Sequence, residues 1–140
     1  MVTVQEIFDM AIHLMDEQRE TDGSTVTVDT SEYKYRTISI LNTVIPRVFK
    51  YSTYYDRDGG QNVPILVNYD YKNPDFDQPV GIDDMLALAL LPPYLAAELL
   101  SAENDVLSAW FMNQYREALQ DVRSNAAGEF EAISTPYGLF

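Results

Sequence analysis

The sequence contains no cysteine, which excludes a disulfide framework, a thiolate metal site and a cysteine nucleophile. That usage suits a reducing compartment, although many exported proteins also lack the residue. Histidine occurs once, at position 13, and a hydrolytic triad needs one beside a nucleophile and a carboxylate. Helical phasing puts His13 on the polar side of the first expected helix, where an exposed surface position is expected. Basic residues are scarce: nine Lys and Arg stand against twenty-two Asp and Glu, a formal net charge of -13. A surface of that sign repels phosphate backbones at long range, and no basic run overrules it, so affinity for nucleic acid is not expected. The charge has two readings, plain solubility and a surface that sits near DNA without sticking to it. Long apolar runs are also missing. The longest, Met85 to Ala97, holds Pro92 and Pro93 and is followed by Glu98, short of the roughly 20 residues of a membrane span. The first nineteen residues carry Glu6, Asp9, Asp16 and Glu17, where a secretory signal would be basic and then apolar.

What is present fits a globular domain. A chain of 140 residues can bury most of a real core unaided, and 46% hydrophobic residues supply the material. The pattern predicts a mainly α fold: one helical domain over 1–140, a bundle of about four helices with a long irregular or hairpin-containing insertion between helices two and three. Thr3 to about Arg19 reads as an amphipathic helix, with Thr3 and Glu6 at capping-box spacing. Its apolar face is Val4, Ile7, Phe8, Ala11, Leu14 and Met15, and Asp22-Gly23-Ser24 is expected to end the element. A short polar stretch, Ser24 to Thr30, leads to a second helix over Ser31 to Phe49. Ile38, Leu41, Ile45 and Val48 form its stripe, and a kink is expected at Pro46.

Residues 50–81 form the irregular, tyrosine-rich arm. Asp56 to Gly60 reads as a turn and Val63 to Tyr71 as a strand. Ile82 to Ser101 is the third helix, with Asp83 as a cap or first-turn acid and leucines in every direction around it. Such a helix lies at the centre of a bundle or is partly covered by a neighbouring subunit. Pro92-Pro93 should kink or interrupt it. Asn104 and Asp105 cap the last helix, which is expected to end near Asn125, stopped by Gly128. Leu107, Trp110, Phe111, Tyr115, Ala118, Leu119 and Val122 form its apolar face, with Trp110 as a core anchor whose loss would cost about 3–5 kcal/mol. The tail, 129–140, is apolar and is expected to dock on its own domain or on a partner, so removing Thr135 to Phe140 should weaken assembly or stability.

Little in the sequence points to catalysis. Asp56 with Asp58, Asp75 with Asp77, and Asp83 with Asp84 are paired carboxylates. Acid-base work needs two such groups converging in a cleft, and turns and helix caps explain these pairs as well. Counted from Asp56, a calcium loop would need a ligand, a glycine and a bidentate acid where Gly60, Gln61 and Val67 stand. Gly59-Gly60 is followed by no Lys-Ser or Lys-Thr, so it is not a phosphate loop. No cofactor and no metal are expected. The tyrosines, by contrast, suit a protein interface. Tyr51, Tyr54, Tyr55, Tyr69 and Tyr71 of the arm, with Tyr137, Leu139 and Phe140 of the tail, are the interface candidates.

One part of the chain has a family likeness. Ala89-Leu90-Leu91-Pro92 through Tyr94-Leu95-Ala96-Ala97-Glu98-Leu99-Leu100, then Glu103-Asn104, Ser108-Ala109-Trp110-Phe111 and Tyr115-Arg116-Glu117-Ala118-Leu119, resembles the C-terminal half of the head-tail connector, or adaptor, proteins of tailed bacteriophages and prophages. The likeness covers roughly half of the chain and lies in a helical-hairpin pattern. It implies a non-enzymatic virion protein, made in the bacterial host cytoplasm and placed at the virion neck. Its implied partners are further copies of itself in a ring, the portal and the tail-side proteins, with DNA only passing through, not specifically bound, and no membrane involved. Other readings are a tail-completion or other phage morphogenesis protein, a non-catalytic helical interaction module, and an enzyme using the acidic arm.

Overall fold

The computed structural model describes residues 1–16, 21, 23–25, 30–55, 64–67 and 73–125, and the helical backbone of 126–134. Four helices follow one another: α1 (Val4–Met15), α2 (Ser31–Val48), α3 (Asp84–Leu100) and α4 (Asp105–Ser134), with a 3-10 turn, Phe49–Tyr51, after α2. The fold is mainly α, as the sequence pattern predicts, and no strand occurs among the described residues.

α1 begins where expected and stops early. Thr3 is its cap, accepting the Glu6 amide through Oγ1 at 3.3 Å. The Val4 and Gln5 amides donate to the carbonyls of Gln78 and Phe76 at 3.1 and 2.9 Å, so the end of the insertion satisfies amides that a helix start leaves unpaired. The helix ends at Asp16 in the left-handed conformation, well before Asp22-Gly23-Ser24. Its core face is Val4, Ile7, Phe8, Ala11, Ile12 and Met15. Burial of those six side chains favours folding by on the order of 10 kcal/mol before entropy is counted, far more than a twelve-residue helix has by itself. Two details correct the expected face. Ile12 is fully buried, and Leu14 is 49% exposed. Leu14 instead lines a groove with Ala89 and Pro93 of α3 and Trp110 of α4.

α2 buries Ile38, Leu41, Ile45 and Val48 as expected, with Tyr33, Thr37 and Val44. The buried Thr37 hydroxyl donates to the Tyr33 carbonyl at 2.7 Å. Pro46 lies inside the helix without ending it. α3 is the centre of the bundle, packed by α1, α2 and α4. Pro92 and Pro93 do not interrupt it. The carbonyls they leave without amide partners belong to Leu88 and Ala89, which are exposed and open to water. The helix is not apolar-buried all round: Met85 is 86% exposed, and Leu88 and Ala89 also face outward. Asp83 occupies the cap position, but its side chain does not cap. Its carboxylate instead accepts from the Thr53 amide and hydroxyl at 2.9 and 2.7 Å, tying the 3-10 turn to the start of α3. Asn104 does cap α4, through the Leu107 amide at 3.1 Å.

The arm is folded onto the bundle where it is described. Residues 64–67 are not a strand. Their backbone is held by side-chain amides instead. Asn42 pairs with both the N–H and C=O of Leu66 at 2.9 and 3.0 Å, and Gln78 does the same to Val67 at 2.9 and 2.8 Å. Leu66, Phe76, Val80 and Ile82 join the core, with Phe76 against Phe8 at 5.2 Å between ring centroids. The expected turn at Asp56 to Gly60, and Val63 with residues 68–71 of the expected strand, lie outside the described residues.

α4 differs most from expectation. It continues past Asn125 and through Gly128 to Ser134. Of its expected apolar face, Phe111 and Tyr115 are buried, while Leu107 and Trp110 are exposed. Trp110 is therefore not a core anchor. It lies about 100° around the helix from Phe111, outside the strip of α4 that α3 and the 3-10 turn cover.

Candidate interaction surfaces

Two concave surfaces flank α4. The first is an apolar groove of about 250 Å³ lined by Leu14, Ala89, Pro93, Trp110, Phe111, Gln114 and Ala118. It carries no charged side chain, and Trp110 stands 53% exposed on its rim. Met85 lies one turn before Ala89, which lies one turn before Pro93, so the apolar stripe continues along α3. Tryptophan is among the residues most enriched at the energetic centres of interfaces, which makes this groove a candidate interaction surface.

The second surface is a cleft of about 550 Å³ between the end of α2 with its 3-10 turn, α3 and α4. Arg47 and Lys50 line it from the first, Tyr94 and Glu98 from α3, and Tyr115, Arg116 and Arg123 from α4. It runs on along α4 past Gln120 and Ser124. Its floor is aromatic: the Tyr94 and Tyr115 rings lie 4.9 Å apart, and the Tyr94 hydroxyl is 3.1 Å from Thr43 Oγ1. Burial pushes the Tyr115 hydroxyl above the usual tyrosine range, the nearby Tyr94 adds to this, and Arg47 opposes it. Lys50 Nζ sits 5.3 Å over the Tyr51 ring, and all four cations are exposed.

The structure separates the expected interface residues. Tyr51 lines the cleft. Tyr54 is exposed. Tyr55 is half-buried and packs edge-on against Phe49 at 5.9 Å, a packing role. Tyr69, Tyr71, Tyr137, Leu139 and Phe140 lie outside the described residues. His13 is exposed, as expected. Sequence reasoning missed Arg47, Lys50, Arg116 and Arg123 because they form no run. The spacing of Arg116 and Arg123, seven residues and two helical turns apart, was the one available signal. It also placed Trp110 inside, where the structure puts it out. Among the described residues, no group of three His, Asp or Glu side chains is placed to hold a metal ion, and no helix is long and apolar enough to cross a membrane. No protein-family description, curated protein or solved structure matches the chain.

Proposed function

We propose that this protein is a structural head-tail connector of a tailed phage or prophage, which joins copies of itself into a ring between portal and tail. The observation that carries the reading is Trp110, exposed outside the core of the bundle. Phe111, the next residue, supplies the core contact, so Trp110 and its apolar groove are surplus to folding and suited to a protein partner. The resemblance of the α3–α4 hairpin to connector proteins favours further copies of the chain and the portal as that partner. The charge fits the same role. A wall with a net charge of -13 per subunit makes few lasting phosphate contacts, so DNA slides past it. A ring uses one pair of complementary surfaces repeatedly, with closure set by the rotation between subunits.

The test is sedimentation velocity of the full chain over a wide concentration range, wild type against Trp110→Glu. The wild type should grow from monomer to a discrete large species, and the variant should lose that growth while keeping its helical circular dichroism. A wild type that stays monomeric throughout, or a variant that assembles equally well, contradicts the reading.

A further inference from the structure

We infer that the cationic tyrosine cleft is the receptor for the acidic surface of a second copy of this chain. The inference rests on the connector reading and adds, beside the Trp110 groove, a second surface through which neighbouring copies meet. The starting observation is a concentration of charge. The whole chain has nine Lys and Arg, and four of them, Arg47, Lys50, Arg116 and Arg123, line one cleft together with a single acid, Glu98. Removing those five residues from the totals leaves five Lys and Arg against twenty-one Asp and Glu. Among the described residues none of the four cations is held in an ion pair; the side-chain pair present, Arg36 with Glu32, lies elsewhere. The cations are thus gathered, exposed and without a carboxylate partner, on a chain where a scattered arrangement would serve solubility better.

The occupant follows from electrostatics. Two copies at -13 each repel, and a contact that faces acid to acid, or cleft to cleft, adds like-charge repulsion at close range. The arrangement that turns the balance is the cleft of one copy on the acidic surface of the next. Exposed acids are abundant for this, among them Glu6, Asp75, Asp77 and Asp105. The tyrosine floor adds contact area at low entropic cost. Nucleic acid fits less well. A duplex long enough to reach all four cations also runs along α4, where the exposed acids Glu117 and Asp121 lie within a Debye length of about 10 Å at 0.1 M salt.

The sign of the salt effect decides the matter. If copies meet through apolar surface alone, salt screens their mutual repulsion and self-association strengthens. If the cleft receives an acidic surface, salt screens the attraction and self-association weakens. The experiment measures self-association of the full chain by sedimentation at about 50 and about 500 mM NaCl, where the screening length falls severalfold. The same measurement is made on Arg116→Glu with Arg123→Glu, and on Arg116→Lys with Arg123→Lys. The expected result is at least a tenfold weaker association at high salt, and a similar loss at low salt for the Glu pair. The Lys pair should stay within a few-fold of wild type. Circular dichroism checks folding, which substitution of these exposed side chains should leave intact. Assembly that strengthens with salt and ignores both pairs overturns the cleft proposal and leaves the connector reading standing. A chain that never associates overturns both. Fluorescence anisotropy with a short DNA duplex supplies the last arm: submicromolar binding at about 150 mM salt, lost in the Glu pair, assigns the cleft to nucleic acid instead.

Discussion

Trp110 and Phe111 are neighbours on α4 whose rings meet edge to face, 5.0 Å between centroids at 78°, yet they serve opposite sides of the molecular surface. Phe111 is 4% exposed and belongs to the core, while Trp110 faces solvent. The contact leaves the indole exposed on the groove. Phe111→Ala should therefore cost about 3–5 kcal/mol of stability, as large-to-small core changes do, and Trp110→Ala less than about 1 kcal/mol. Urea unfolding of both variants checks this at concentrations where the wild type is monomeric. A Trp110→Ala loss as large as that of Phe111→Ala would return the indole to the core.

The arm depends on Asn42. Its amide satisfies both backbone groups of Leu66, a core residue. Asn42→Ala leaves the donor and acceptor of a buried residue unpaired, at a cost of about 1–3 kcal/mol for each group. The Leu66 amide should exchange hydrogen much faster in the variant. Gln78 makes the matching pair with exposed backbone of Val67, where water can replace it, so Gln78→Ala should cost under about 1 kcal/mol. Equal costs for the two would contradict this account of the arm.

Gly81 sits at φ +81°, and a Cβ there would lie 2.5 Å from Pro64 Cβ. Gly81→Ala combines the left-handed penalty of about 1–2 kcal/mol with an overpacking cost of about 1–3 kcal/mol. Gly23, at φ +71° with nothing near it, suffers only the first. Thermal unfolding should show Gly81→Ala clearly below Gly23→Ala; the reverse order would mean that Pro64 moves away freely.

Tyr115 couples stability to alkaline pH. Its folded-state proton is held more tightly than in the unfolded chain, chiefly because the hydroxyl is buried. As pH rises through about 10, the unfolded chain loses that proton first. The folded state then holds more protons than the unfolded one, so the contribution is full below that pH and is lost above it. Tyr115→Phe should flatten the fall of urea-measured stability between about pH 9.5 and 11 relative to wild type. An unchanged slope would place Tyr115 in an ordinary, solvated setting.

The helices were legible because burial and periodicity agree in them. α2 shows its stripe of Ile38, Leu41, Ile45 and Val48 to any reader of period 3.6. Boundaries were less so. The end of α1 is set by Asp16 adopting a left-handed conformation, which Asp tolerates better than most residues but does not announce. The prolines of α3 looked like breaks, and they are accommodated because the carbonyls they strand face outward. The arm read as a strand because its residues suit one. Its hydrogen-bond partners, Asn42 and Gln78, are side chains far away in sequence, and no local pattern encodes them. The site was the least legible part. A period places Trp110 and Phe111 on the same broad face, but only the width of the neighbouring helix decides which is covered. The four cations of the cleft come from two stretches that the fold alone brings together.

The central claim is assembly at a portal, and imaging addresses it most directly. The full chain should be mixed with purified portal rings encoded in the same genome and examined by negative-stain electron microscopy. The account predicts an added ring of density with rotational symmetry on one end of the portal, absent when Trp110→Glu protein is used. Portal rings that remain bare at saturating wild-type protein would contradict it.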